Sequence, residues 1–247
     1  MKLKVLYLYP EFLSLYGDRG NIEVLYRRAT KRNINIEIVE AKYGSVINYS
    51  DYEDINFVFM GGGSDLNQKT LYEDLLLKKK GFIGDYIASG KTGLFVCGAY
   101  QLLGKYYQTQ DGEKIEGLGI LDFHTINEGK KNRSVGQTRI KITNEIKDPI
   151  FKKKETQDIF GFVNHGGQTY LPERYDSFGK VISGYGNNKK SKNEGIFFQG
   201  IIGTYLHGPI LSLNPALCDY FIKKSLSLTD LGHLDDSLII NARRNLR

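Results

Sequence analysis

A chain of 247 residues with 40% hydrophobic content has the material for one large α/β domain, and it shows neither the polar bias of disorder nor a membrane-length apolar run. Its formal net charge of +6 comes from lysines at 78–80, 152–154 and 189–192 and from Arg243, Arg244 and Arg247, with no recognition helix or aromatic RNA-binding motif among them. That distribution reads as a solvated surface and argues against a nucleic-acid partner. Two distant cysteines, Cys97 and Cys218, with no Cys-x-x-Cys and no Cys/His pair at ligand spacing, exclude a disulfide framework and a structural zinc site.

The first residues are charged and then apolar, but Pro10 and Glu11 end the run too early for a leader or a span. Residues 3–9 therefore read as the first buried strand of a cytoplasmic protein. Residues 21–32 follow as an amphipathic helix and 34–39 as a second strand. The pattern repeats with a strand at 56–60, a helical stretch at 66–89 broken near Gly81, and a strand at 92–96. This alternation predicts an α/β fold: an open, mostly parallel sheet flanked by helices, with sites at the carboxyl ends of its strands. Beyond Gly117, short alternating runs at 119–123, 138–143, 158–164, 180–183 and 195–198 predict antiparallel strands and hairpins extending the sheet. Residues 201–206 read as another buried strand, and 216–228 and 234–245 as closing helices, with Cys218 in helix core. Residues 147–157 and 187–193 read as polar surface loops. A single domain over 1–247 is the simplest organisation.

Three features fall where strands end. Cys97 follows Leu94-Phe95-Val96 and precedes Gly98-Ala99, a strand-to-helix corner whose small residues permit the sharp turn that lifts a nucleophile off a sheet. Gly61-Gly62-Gly63 follows the 56–60 strand, and a glycine-only backbone can turn several N–H groups inward as an oxyanion hole. His207, in Gly203-Thr204-Tyr205-Leu206-His207-Gly208-Pro209, closes a buried strand where a base for the thiol would stand. His165, in Asn164-His165-Gly166-Gly167, has a comparable setting and is the rival base; His124 and His233 do not. Ser89-Gly90-Lys91-Thr92 has the look of a phosphate loop's end, but Gly84 is misplaced by one residue and the segment runs from helix to strand, so no nucleotide site is expected. No clustered ligands point to a metal. The residues alone lead to a Cys-His acyl-transfer enzyme.

Together these motifs resemble the class I glutamine amidotransferases. Tyr16-Gly17-Asp18-Arg19-Gly20-Asn21, Gly117-Leu118-Gly119-Ile120-Leu121-Asp122, Asn164-His165-Gly166-Gly167 and Leu206-His207-Gly208-Pro209 narrow the resemblance to the cobyric-acid-synthase-like branch, and within it to glutaminase subunits of lipid II isoglutaminyl synthase. The similarity runs from about Leu3 to the C-terminal helices. It implies that glutamine is hydrolysed to glutamate and ammonia through a γ-glutamyl thioester on Cys97, with His207 as base and the N–H groups at Gly62 and Gly98 holding the oxyanion. It further implies that Arg133, in Asn132-Arg133-Ser134-Val135-Gly136, binds the substrate's α-carboxylate and that Gln101 contributes to substrate binding.

The sequence departs from the broader class at Pro209, where most members carry the carboxylate that completes a triad. The resemblance thus implies a Cys-His dyad, with Asp18 as a candidate replacement whose alternative role is capping the helix at Asn21. Phe95 and Ala99 also stand where glycine is common. Free ammonia would be protonated and lost in water, so coupling to an acceptor site is expected. No cofactor is expected in this chain; ATP and Mg are expected on a separate Mur-ligase-like subunit, MurT, which would amidate the D-glutamate of lipid II to D-isoglutamine in peptidoglycan synthesis. The alternatives are a glutaminase serving another acceptor such as a corrinoid carboxylate, a non-catalytic binding subunit, or a Cys-dependent peptidase or amidase.

Overall fold

The computed structural model describes residues 1–48, 50 and 53–243. Its centre is a six-stranded sheet built by the predicted alternation. Strand β1 (Lys2–Leu8) is followed by helix α1 (Gly20–Thr30) and strand β2 (Asn35–Ala41). Then come β3 (Phe57–Met60), helices α2 (Asp65–Lys78) and α3 (Lys80–Ala88), β4 (Thr92–Val96) and the short helix α4 (Gly98–Leu103). β3 and β4 are buried along their whole length, as expected of central strands covered on both faces. The chain steps from β1 outward to β2 and then back across to β3, so the connection reverses direction between β1 and β3. In an open parallel sheet that reversal opens a crevice at the strands' carboxyl ends.

Helix α2 starts where Ser64 Oγ accepts the Asn67 N–H at 3.2 Å. The break expected near Gly81 falls two residues earlier, at Lys79, whose side chain is fully buried. Its ammonium bonds the Asp74 carboxylate and the Ser45 carbonyl (2.9 Å) and lies 4.7 Å over the Tyr9 ring. Satisfying that charge, rather than glycine flexibility, sets the point where the helix changes course.

After α4 the small strands β5 (Tyr106–Gln108), β6 (Lys114–Glu116) and β7 (His124–Asn127) precede the long strand β8 (Ser134–Ile142). The four-residue helix α5 (Lys154–Gln157) leads into β9 (Asp158–His165), β10 (Gly167–Tyr170), β11 (Gly179–Ser183) and β12 (Asn193–Glu194). β13 (Ile196–Phe198) and β14 (Ile201–Thr204) return to the centre. The main sheet has the order β13-β14-β4-β3-β1-β2, with only β13 antiparallel. The other strands form two separate four-stranded sheets, β10-β7-β5-β6 and β12-β11-β8-β9, instead of all extending the main one.

Residues 119–123, expected as a strand, are irregular. Leu121 and Phe123 are buried, but the N–H groups of Leu118, Gly119 and Leu121 bond the carbonyls of Leu102, Gly104 and Leu103. The segment thus satisfies the end of α4 instead of joining a ladder. The 187–193 loop is not wholly at the surface either. Asn187 is buried, and its amide exchanges hydrogen bonds with the main chain of Gly195.

Helices α6 (Ile210–Leu213), α7 (Pro215–Ser225) and α8 (Ser237–Arg243) close the fold; residues 244 and 245 of the predicted last helix lie outside the described residues. Cys218 is fully buried in α7, as expected. Asp219 of α7 takes two hydrogen bonds of 2.7 Å from Arg28 of α1 and a third of 2.7 Å from Arg32, and Arg28 also reaches Asp236 at 2.6 Å. Asp219→Ala would leave Arg32 without a carboxylate and Arg28 with Asp236 alone, and urea unfolding should show a loss of about 3 kcal/mol.

Candidate active site

The carboxyl ends of β1, β3, β4 and β14 lie side by side, and each is followed by one component of the site. Cys97 leaves β4 with φ 52° and ψ −106°, a left-handed conformation that a non-glycine residue adopts only under constraint. The constraint is visible: its N–H donates to the Thr204 carbonyl at 2.7 Å, and its carbonyl accepts the Gln101 N–H of α4 at 3.0 Å. Gly98 leaves little room for a side chain, since a Cβ there would lie 2.8 Å from Gln68 Nε2 and 3.3 Å from the Gly63 nitrogen. Ala99 fits the turn, fully buried.

His207 follows β14 and is held by main-chain bonds in both directions with Phe162 of β9, at 2.8 and 3.0 Å. Its Nδ1 is 3.0 Å from Asp18 Oδ1, and neither side chain is exposed. A carboxylate can only accept, so Nδ1 carries a proton, and Nε2 is the nitrogen left to exchange one with the Cys97 sulfur. Burial disfavours the charged ring, but hydrogen bonding to Asp18 and Cys97, with the negative charge on both, overcomes it and raises the imidazole pKa to about 10. Tyr16, itself at φ 55°, meets the ring edge-on at a centroid distance of 4.9 Å.

Gly62 ties these pieces together. A Cβ there would lie 2.9 Å from His207 Cε1, 3.1 Å from Asp18 Oδ2 and 3.1 Å from Cys97 Cβ, so thiol, imidazole and carboxylate converge on the space its missing side chain leaves. Its N–H departs from expectation. It donates to Asp18 Oδ2 at 2.8 Å and is therefore committed to the carboxylate rather than open to an oxyanion. Asp18 itself does more than cap a helix. Its carbonyl receives the N–H and side-chain amide of Asn21, while its carboxylate bridges Gly62 and His207. The dyad expected from the sequence thus has a third member, supplied from the segment after β1. Pro209, where the class usually has that carboxylate, instead packs against Gly20.

The remaining predicted residues separate into two groups. Gln101 is buried, accepting from Gln68 Nε2 and donating to the Tyr205 hydroxyl, both at 3.2 Å; Tyr205 bonds Thr169, which bonds Thr125. This chain places Gln101 as a support under the elbow. Arg133 is exposed at the start of β8, where Nε donates to Asn164 Oδ1 at 2.8 Å and Asn164 in turn donates to the Tyr16 hydroxyl at 2.6 Å. Arg133 is thereby linked to the ring that covers His207. His165 is buried beside this group with no carboxylate on it, and burial lowers its pKa to about 4, so it stays neutral. The pairing with Asp18, and the contact with Cys97, set His207 apart from His165.

Three contributors carried no signal in the sequence. Tyr16 and Asn164 were hidden inside motifs read for other residues. Glu194, fully buried, accepts the Tyr205 N–H at 2.7 Å and the Thr204 hydroxyl, fixing the strand end that aims His207; burial raises its pKa to about 7. Residues 89–92 are committed elsewhere: Lys91 bonds the carbonyls of Glu53 and Ile55, and Thr92 that of Asn56, at the opposite end of β4. Among the described residues no group of three or more His, Cys, Asp or Glu is placed to hold a metal, and no helix is long and apolar enough to cross a membrane.

A strained cysteine at a strand-to-helix corner, a histidine after a later parallel strand and a glycine nest between them define a glutamine amidotransferase. The match agrees: residues 4–215 fit the CobB/CobQ-like glutamine amidotransferase domain, and the chain belongs to that family. It is 41% identical over 224 residues to the lipid II isoglutaminyl synthase (glutamine-hydrolysing) subunit GatD of Staphylococcus aureus, covering 91% of this chain and 84% of that one. It is 36% identical to GatD of Streptococcus pneumoniae, covering 91% and 81%. A cobyric acid synthase of Caldanaerobacter subterraneus is 24% identical, with 77% of this chain matched to 42% of that longer one. Among solved structures, PurLQS of Thermotoga maritima superposes with a TM-score of 0.64 at 12% identity, covering 90% and 99% of the two chains. A glutamine amidotransferase of Thermotoga maritima gives 0.56 at 17%, covering 99% and 96%. The architecture is that of these enzymes.

Two substitutions test the convergence. Gly62→Ala should abolish glutamate release, because its methyl occupies the space shared by all three groups. Asp18→Asn keeps the shape but removes the charge, so glutamate release should fall by roughly 10²–10⁴-fold. Losing a charge that favours imidazolium lowers the His207 pKa, and side-chain NMR should show the ring titrating below about 10.

Proposed function

We propose that this chain is the glutamine-hydrolysing subunit of an enzyme that amidates the D-glutamate of lipid II to D-isoglutamine. The observation that carries the chemistry is the meeting of Cys97, His207 and Asp18 around Gly62. His207 Nε2 takes the thiol proton, and the resulting Cys97 thiolate attacks the carboxamide carbon of glutamine. The oxyanion rests on the N–H of Gly98 and, with Gly62 committed to Asp18, on that of Gly63. His207 returns the proton to the departing nitrogen, releasing ammonia and leaving a γ-glutamyl thioester. It then deprotonates the water that cleaves the thioester to glutamate and regenerates the thiol. Arg133 takes the α-carboxylate, which suits an exposed guanidinium whose two Nη groups have no partner among the described residues.

Ammonia serves an amidation only if it reaches an activated carboxylate before water protonates it, so a separate ATP-dependent subunit is part of this reading. The similarity to two GatD subunits supports a partner chain; in this reading that partner is a Mur-ligase-like subunit, MurT, that holds ATP and Mg and presents lipid II. The weaker similarity to cobyric acid synthases keeps a corrinoid carboxylate as the alternative acceptor.

Glutamate release from L-glutamine, by the chain alone and with the ligase subunit, tests this reading. Cys97→Ala should eliminate release, and Arg133→Ala should raise KM by about tenfold or more. No release under either condition from folded protein would refute the glutaminase assignment.

A further inference from the structure

Glu194, in the two-residue strand β12, is fully buried, and its carboxylate is spent on one short stretch of main chain. It accepts the Tyr205 N–H at 2.7 Å and the Thr204 hydroxyl at 2.9 and 3.0 Å, and Thr204 Oγ in turn accepts the Leu206 N–H at 3.1 Å. Tyr205 and Leu206 lie beyond the end of β14, so these side-chain oxygens take N–H groups that the ladder leaves unpaired. The donors on Glu194 are neutral and burial pushes its pKa up to about 7, so its ionised form is held at a cost in stability. A side chain needed only to fill this space would be apolar.

What the stretch connects indicates what the carboxylate is for. At one end the Thr204 carbonyl accepts the Cys97 N–H at 2.7 Å and so pins the strained elbow; at the other, Leu206 leads directly into His207. The nucleophile's main chain and the base are thus joined through residues 204–206, and Glu194 holds all three, the last through Thr204 Oγ. Glu194 is itself braced. Gly195, at φ 63°, lets the chain lie close against β14, since a Cβ there would stand 2.4 Å from the Gly203 carbonyl oxygen. The Asn187 amide exchanges hydrogen bonds of 2.9 and 2.8 Å with the Gly195 main chain, and Tyr100 of α4 donates to the same Asn187 at 3.3 Å. The support therefore runs from β12 through β14 to the helix that follows the cysteine.

We propose that Glu194 is a positioning residue that sets the spacing between the Cys97 thiol and the His207 imidazole, acting through the main chain of residues 204–206. Its role in turnover rests on the glutaminase reading above. Without the carboxylate, Tyr205 N–H and the Thr204 hydroxyl lose their buried acceptor, the strand end relaxes, and sulfur and imidazole no longer share a proton at short range. Glutamine binding does not pass through this segment, so the loss falls on the chemical step.

The test pairs glutamate release, with the ligase subunit present, with alkylation of Cys97 by iodoacetamide at neutral pH, which reads the thiolate directly and requires no glutamine. Cys218, the other thiol, is fully buried. Glu194→Ala should lower kcat by about tenfold or more with KM changed less than about twofold, and slow alkylation by about threefold or more. Glu194→Gln, which keeps an acceptor oxygen for the Tyr205 N–H, should recover most of both. Thr204→Val should reproduce the loss in part and Thr204→Ser should not; thermal unfolding checks each variant, and this second pair decides if Glu194→Ala does not fold. Unchanged kcat and alkylation in the alanine and valine variants, a loss confined to KM, or a loss that Glu194→Gln and Thr204→Ser fail to recover overturns the proposal and leaves the glutaminase reading intact. A parent protein that releases no glutamate, but whose alkylation slows in Glu194→Ala and recovers in Glu194→Gln, overturns the glutaminase reading and supports the positioning of the thiol.

Discussion

The Asp18 carboxylate is the hinge of this structure's chemistry. One oxygen takes the Gly62 N–H and the other takes Nδ1–H of His207, so a single buried carboxylate fixes the glycine nest after β3 and the orientation of the His207 ring after β14. A buried carboxylate is tolerated only when its lone pairs are filled, and here the partners that fill them are parts of the machinery. The site therefore has little freedom to relax away from its working geometry: shifting Gly62 or His207 would leave the carboxylate short of a donor. The Asn21 side chain adds to the same lock, since it binds the Asp18 carbonyl and accepts the Leu211 N–H just beyond His207.

The fold was legible in the sequence where strands are buried on both faces and helices alternate with them. β1, β3, β4 and β14 fall within a few residues of their predicted positions because continuous apolar runs between turn signals have few other uses. The outer sheets were less legible. In 119–123 an alternating apolar pattern belongs to a loop that caps α4, and alternation records burial, not ladder bonding. β5 and β6 are three residues each, too short to establish a period.

At the site, the meeting of Cys97 and His207 was readable because each ends a buried strand beside small residues. The donor arrangement was not. Glycine in a nest advertises both a free N–H and an absent side chain, and sequence cannot say which of the two a position is for. At Gly62 the absent side chain matters and the N–H is already bound. Asp18 was visible only as a carboxylate in a turn, since its pairing with His207 spans 189 residues and leaves no local pattern. Glu194 illustrates the same limit, a buried acid whose purpose depends on β14 lying alongside.

That long separation bears on how the chain acquires reactivity. During synthesis Cys97, its elbow and the glycine nest are all made more than a hundred residues before His207, and β14 must slot in beside β4 before the base can face the thiol. Until then the cysteine lacks both its proton acceptor and the Thr204 carbonyl that pins its strained main chain. The arrangement of Cys97, His207 and Asp18 is therefore assembled only when the last central strand joins the sheet.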